Sequence, residues 1–340
     1  MSSLEKEMFK KSKLPVLDSL QESNNKPINA FKSPTNTSQY TSYQWKDYFD
    51  ESMDISIPDS SDTFRVYRTL PEKENGPLFI MHHGAGSSAL TFGLTAKHII
   101  ELTRGECGVM AIDCRGHGAS KTQVFDADFS LETLSMDLIH IIQATTSPTQ
   151  DIILVGHSMG GSVVVNVAHK RLFKNLLGVT VLDVVEGSAM DALTSMTKIL
   201  NSRPRQFRSN EQAILWSTQS DTVRNLESAR LSIPALLESE GSVLKWITDL
   251  HKTQPFWTEW FQGLSDKFLN AGTAKLLILA GTDRLDKPLI IGQMQGKFQL
   301  HIFPDAGHFL QEDTPFKTAT CLVEFWKRNQ RLVLPPKVKI

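Results

Sequence analysis

A chain of 340 residues with 36 basic and 37 acidic side chains carries a formal charge of −1, which gives no electrostatic reason to expect nucleic acid or an anionic membrane as partner. Its 40% hydrophobic content and eighteen phenylalanines can fill a large core, but no apolar run approaches the roughly 20 residues of a membrane helix. The start, Met1-Ser-Ser-Leu-Glu-Lys6, lacks a signal-peptide core, so a cytoplasmic location, with the nucleus as a second, is expected, and Cys107, Cys114 and Cys321 are expected as reduced thiols.

Residues 1–44 are rich in Ser, Asn, Lys, Gln and Pro and show no periodic apolar face. They are expected to form a disordered polar tail. Pro77 to His83 reads as a buried strand opening into Gly84-Ala85-Gly86-Ser87-Ser88, with an amphipathic helix near residues 90–104. A further strand, Cys107 to Ile112, leads into Asp113-Cys114-Arg115-Gly116-His117-Gly118. This turn reads as structural, with Asp113 and Arg115 pairing or capping, because the spacing of Asp113, Cys114 and His117 does not match paired zinc ligands.

The β-branched run Ile152-Ile153-Leu154-Val155 is followed by Gly156-His157-Ser158-Met159-Gly160 and then Gly161-Ser162-Val163-Val164-Val165. Strand, G-x-S-x-G, helix is the setting of a nucleophile elbow, in which the turn is too tight for Cβ atoms beside the serine and its hydroxyl is pushed out at the sheet edge. Ser158 is therefore the expected nucleophile, near a helix N-terminus that favours developing negative charge. A carboxylate would be needed there for epoxide-hydrolase or dehalogenase chemistry. The Gly-rich turn at 84–88 follows the third strand, where this fold supplies one oxyanion-binding N–H and the residue after the nucleophile supplies the other. Those groups are expected on Ala85 and Met159.

The strand Gly178 to Leu182 ends at Asp183, and about 90 residues separate Asp183 from the next core strand, far more than an ordinary connection. A helical lid inserted over about 188–270 is expected, with apolar residues three and four apart in Ala189 to Leu200. Four of the six tryptophans fall in it, Trp216, Trp246, Trp257 and Trp260. They read as packing between lid and body, with Trp216, Trp257 and Trp260 also candidates to receive an apolar substrate side chain. Arg203, Arg205 and Arg208 read as a solvated basic face.

Lys275 to Gly281 and Phe298 to Phe303 are two more buried strands, the second running into Pro304-Asp305-Ala306-Gly307-His308. A histidine in the loop after the last strand is where an α/β-hydrolase keeps its general base, so His308 is expected in that role. The acid that orients the imidazole must end a strand facing His308. Asp283 and Asp183 both qualify, and topology alone favours Asp283, which follows the strand before the histidine strand.

Three long blocks, Asp183 to Leu193, Arg224 to Arg230 and Asp283 to Phe298, closely resemble the protein phosphatase methylesterases. The resemblance begins near Trp45-Lys-Asp-Tyr-Phe49 and runs to about residue 330. It implies an α/β-hydrolase with a doubly wound, mostly parallel sheet over 45–330, a short C-terminal tail at 331–340, and removal of the methyl ester from the C-terminal leucine of the type 2A protein phosphatase catalytic subunit, which would be both substrate and partner. It also moves the acid to Asp183, beside Ser158 and His308, and implies no cofactor and no metal. The rival readings are a small-molecule carboxylesterase or lipase, which would share the elbow, and a phosphatase-binding regulator whose hydrolysis is incidental.

Overall fold

The computed structural model describes residues 38–57, 60–123, 128–281 and 285–330. Strands and helices alternate through its first half: β1 (Glu51–Ser56), β2 (Thr63–Thr69), β3 (Leu78–His82), α1 (Gly93–Thr103), β4 (Gly108–Ile112), α2 (Leu131–Thr145), β5 (Ile152–His157), α3 (Met159–Lys170) and β6 (Leu176–Leu182). After β6 come α4 (Glu186–Ser202), β7 (Gln206–Phe207), α5 (Asn210–Gln219), α6 (Leu226–Ser232), β8 (Leu237–Glu240), β9 (Val243–Trp246) and α7 (Leu264–Asn270). The chain then returns through β10 (Ala274–Leu279) and β11 (Gln299–Ile302) to α8 (Pro315–Asn329). Eight strands form one sheet in the order β1-β2-β4-β3-β5-β6-β10-β11, parallel from β4 to β11.

Every residue of β3, β4 and β5 is buried, because helices cover both faces of a parallel sheet, and that is why these strands read as unbroken apolar runs. One layer holds α2, α3 and α7, with Leu138, Val163 and Phe268 in the same core cluster. The other holds α1 and α8, through Ile99 and Phe325. The antiparallel pair β1 and β2 has no such run. Its two faces carry cross-strand ion pairs, Arg65 on Asp54 and Arg68 on Glu51, and the sequence offers no apolar run for it.

Two boundaries differ from expectation. Residues 38–44, expected to belong to a disordered tail, are ordered: the Tyr43 N–H bonds the Arg230 carbonyl at 3.0 Å, and the Arg230 guanidinium lies 3.9 Å over the Tyr43 ring. Main-chain bonds and a cation over a ring leave no periodic apolar pattern to read. The insertion after β6 is not wholly helical, since β7, β9 and β8 form a small antiparallel sheet around its own core of Phe207, Ile214, Trp216 and Ile233. It also ends earlier than residue 270, because α7 packs against α3 as part of the body. Among the described residues no helix is long and apolar enough to cross a membrane.

Candidate active site

The site forms where the central parallel strands end. His157 pairs with Leu182 across β5 and β6, and the Ser158 N–H bonds the Leu182 carbonyl at 3.0 Å. One strand over, the Asp183 N–H bonds the Ile278 carbonyl at 2.8 Å. Ser158 and Asp183 therefore leave neighbouring strands at one level, on the carboxyl edge of the sheet where open α/β folds bind ligands.

The elbow is strained as its sequence requires. Ser158 has φ 52° and ψ −121°, and Asp183 has φ 51°, left-handed conformations that cost a non-glycine residue on the order of 1–3 kcal/mol each. A Cβ on Gly156 would stand 2.2 Å from the Gly160 carbonyl oxygen, and one on Gly160 would stand 2.3 Å from the His82 oxygen. Neither backbone atom can yield, so both positions admit only glycine.

His308 donates Nδ1–H to Asp183 Oδ2 at 2.9 Å, and Asp183 Oδ1 accepts the Ala280 N–H at 2.8 Å. The Asp183 side chain is wholly buried, while the His308 side chain is 38% exposed. That exposure leaves the far imidazole nitrogen open to the cavity, and with Nδ1 protonated, Nε2 carries the lone pair that can take a proton. Among the described residues no hydrogen bond joins Ser158 Oγ to His308. Asp283, the aspartate favoured by topology alone, lies outside the described residues.

Met159 is the first residue of α3, so its N–H has no intrahelical acceptor. Ala85, half-buried, lines the same cavity as Ser158 and Met159. The loop carrying Ala85 is gripped from both sides by imidazoles that sequence reading passed over. His83 Nδ1 donates to the Gly84 carbonyl at 2.8 Å, and His83 Nε2 accepts the Cys114 N–H at 3.0 Å. His117 Nε2 accepts the Gly86 N–H at 2.9 Å while its Nδ1 donates to the Arg115 carbonyl at 2.8 Å. Each ring needs one bare nitrogen, and burial keeps both neutral, pushing His83 well below the usual histidine range and His117 down to about 4. Of the pairing or capping expected of Asp113 and Arg115, the structure shows capping by Asp113 and no pair between the two. Asp113 caps the Ala89 and Ala119 N–H groups at 2.6 and 2.8 Å, and Arg115 forks onto Asp137 at 2.7 and 2.8 Å.

Ser158, Asp183 and His308 line a cavity of about 320 Å³ whose wall is mostly apolar. Trp216, Trp257 and Trp260 all border it, yet none is more than 6% exposed, so each is packing and wall at once. The Trp257 indole donates to Thr253 Oγ1 at 2.8 Å, and the Trp260 indole donates to the Phe129 carbonyl at 2.7 Å. Glu312, also at the wall, ties body to insertion: its carboxyl oxygens accept from Thr91 Oγ1 and Ser232 Oγ, each at 2.5 Å. Burial pushes its pKa up to about 8. No local motif marks it, because its partners come from segments far away in sequence.

A family model described as "Alpha/beta hydrolase family" matches residues 79–320. A protein of Aspergillus oryzae named protein phosphatase methylesterase 1 is 51% identical over 316 residues, covering 86% of this chain and 74% of its own. One of the same name from Schizosaccharomyces pombe is 46% identical over 302 residues, covering 86% and 87%. Among solved structures, E-2-(acetamidomethylene)succinate hydrolase aligns with a TM-score of 0.64 at 18% identity, over 82% of this chain and all of its own. The thioesterase domain from the curacin biosynthetic pathway aligns at 0.62 and 17%, over 81% and 99%. At these identities the two structures are alike in fold alone.

Proposed function

This chain belongs to the protein phosphatase methylesterases, within the α/β-hydrolase family, and from that premise we propose that it demethylates the C-terminal leucine methyl ester of the type 2A protein phosphatase catalytic subunit. It is a carboxylic ester hydrolase, and a protein phosphatase is its substrate and partner. The observation that carries the reading of the site is the His308 to Asp183 hydrogen bond, formed beside the elbow that exposes Ser158.

In this reading His308 Nε2 takes the Ser158 proton as Oγ attacks the ester carbonyl, and Asp183 stabilises the imidazolium through Nδ1–H. The Ala85 and Met159 N–H groups receive the oxyanion. The tetrahedral intermediate collapses, the bond to the methoxy oxygen breaks, and methanol leaves with the proton from His308. Water, deprotonated by the same imidazole, then attacks the acyl-enzyme and releases the leucine carboxylate. The apolar walls, including Trp216, Trp257 and Trp260, accept the leucine side chain.

The test is methanol release from methylated type 2A catalytic subunit, comparing the natural protein with Ser158→Ala. Release that depends on Ser158 is expected. Equal release from both would refute the assignment, and release from small esters but not from the phosphatase would favour a general carboxylesterase.

A further inference from the structure

The block Arg224 to Arg230, marked in the sequence by resemblance and given no part in the chemistry, belongs to the insertion and is seated on the loop that carries His308. Asp313 makes the join. Its Oδ1 accepts the main-chain N–H of Arg224 at 2.8 Å, and its Oδ2 accepts the main-chain N–H of Gly307, the residue before His308, at 2.7 Å. The Arg224 guanidinium also donates to the Asp305 carbonyl at 3.0 Å, and Ser228 Oγ donates to the Glu312 carbonyl at 2.8 Å. The insertion therefore holds this loop both before and after His308.

The chemistry of the join calls for a carboxylate. An ionised carboxylate only accepts, so its two oxygens can serve two main-chain donors at once. An amide has one such oxygen and would turn its NH2 toward the second N–H, leaving two donors face to face. The consequence falls on His308, whose main-chain oxygen is fixed by His157 Nε2–H at 2.8 Å while its Nδ1–H meets Asp183 at 2.9 Å. With the Gly307 N–H fixed as well, the peptide on each side of His308 is held and the imidazole has one place to stand. Releasing one side swings the ring, and a misplacement of about 1 Å costs on the order of 10²-fold in rate.

We propose that Asp313 is a positioning residue for the ester hydrolysis: by bridging Gly307 and Arg224, it makes the seat of His308 against Asp183 depend on the insertion. Asp313 touches no reacting atom. The inference rests on the reading of His308 as the general base.

The experiment counts active sites before it measures rates. Fluorophosphonate titration gives the fraction of protein with a reactive Ser158, and kcat per titrated site and KM are then read on a leucine methyl ester peptide. Asp313→Asn is expected to lower kcat per site about tenfold to a hundredfold with KM changed less than about threefold, since geometry is lost and binding surface is kept. Asp313→Glu keeps both acceptor oxygens and should regain part of that kcat. Asp305→Asn, on the same loop but with its side chain on the exposed Lys317, should leave kcat as it is. Arg224→Ala, at an exposed position, leaves every main-chain N–H in place, removes the bond to the Asp305 carbonyl and should cost about threefold in kcat. An unchanged kcat in Asp313→Asn overturns the proposal, as does a loss that appears in KM or in the number of titrated sites instead. So does an equal fall in Asp305→Asn, or an Asp313→Glu protein no faster than Asp313→Asn. Should Asp313→Asn fail to fold, Arg224→Ala decides, and a kcat equal to that of the natural protein overturns the proposal. The reading of His308 is tested separately: full turnover in His308→Ala removes it, whereas lost turnover there beside an unchanged Asp313→Asn removes this inference alone.

Discussion

His157, the residue immediately before Ser158, donates its Nε2–H to the main-chain oxygen of His308 at 2.8 Å, with the two rings 4.7 Å apart. The elbow thus grips the loop that carries His308. Burial pushes the His157 pKa down to about 3, so the ring stays neutral and Nε2–H remains the donor. His157 touches no reacting atom and is a positioning residue. His157→Phe keeps the ring volume and removes the bond, and kcat is expected to fall about tenfold to a hundredfold with KM little changed, since geometry is lost without loss of binding surface. Steady-state kinetics on a leucine methyl ester peptide checks this, and an unchanged kcat would show that the loop holds itself.

Ser158→Ala should abolish covalent labelling by a fluorophosphonate and lower turnover by at least about 10⁴-fold, leaving only the oxyanion hole and binding. Labelling that persists would place the reactive serine elsewhere.

Asp183→Asn should lower kcat by about 10⁴-fold, because the amide leaves the imidazole in the wrong tautomer. The same change at Asp283 should cost far less. Rates of both variants, compared once circular dichroism shows them folded, decide between the two aspartates, and the reverse ranking would remove Asp183 from the triad.

Glu312 predicts a pH dependence of stability. Its pKa is raised by burial from the ordinary carboxylate value of 4.5 to about 8, so the native state holds this proton more tightly than the unfolded chain. The stabilisation is complete below the unfolded value and is lost as pH rises through about 8. Tm should therefore fall between about pH 5 and pH 8 and level off above it, and Glu312→Gln, which cannot ionise, should flatten that fall. Parallel melting curves across this range would count against the buried proton.

The start of the insertion directly after Asp183 predicts that docking of the phosphatase completes the site. Binding energy from a remote surface can assemble catalytic geometry, so a truncated substrate should lose kcat as well as affinity. We expect a higher kcat on intact methylated phosphatase than on a short leucine methyl ester peptide, with p-nitrophenyl acetate as a reference for intrinsic reactivity. Equal kcat on peptide and protein would leave the insertion as a plain cover.

The sequence by itself determined the parallel core strands, the elbow and the loop positions of Ser158, Ala85 and His308. The reason is local: a strand buried on both faces must be an unbroken apolar run, and a turn that excludes Cβ atoms must carry glycine at Gly156 and Gly160. It left the acid open between Asp183 and Asp283, because ending a strand is a property both share, and the resemblance to a known family, not periodicity, chose Asp183. Only the tertiary structure brings Asp183 to 2.9 Å from His308, 125 positions away. The same holds for the His83 and His117 grips on the oxyanion loop, for the Glu312 tie, and for the half-burial of Arg203 at the cavity wall while Arg205 stays in water. Each depends on which distant segment packs against the residue, and a local pattern of apolar and polar residues carries no record of that.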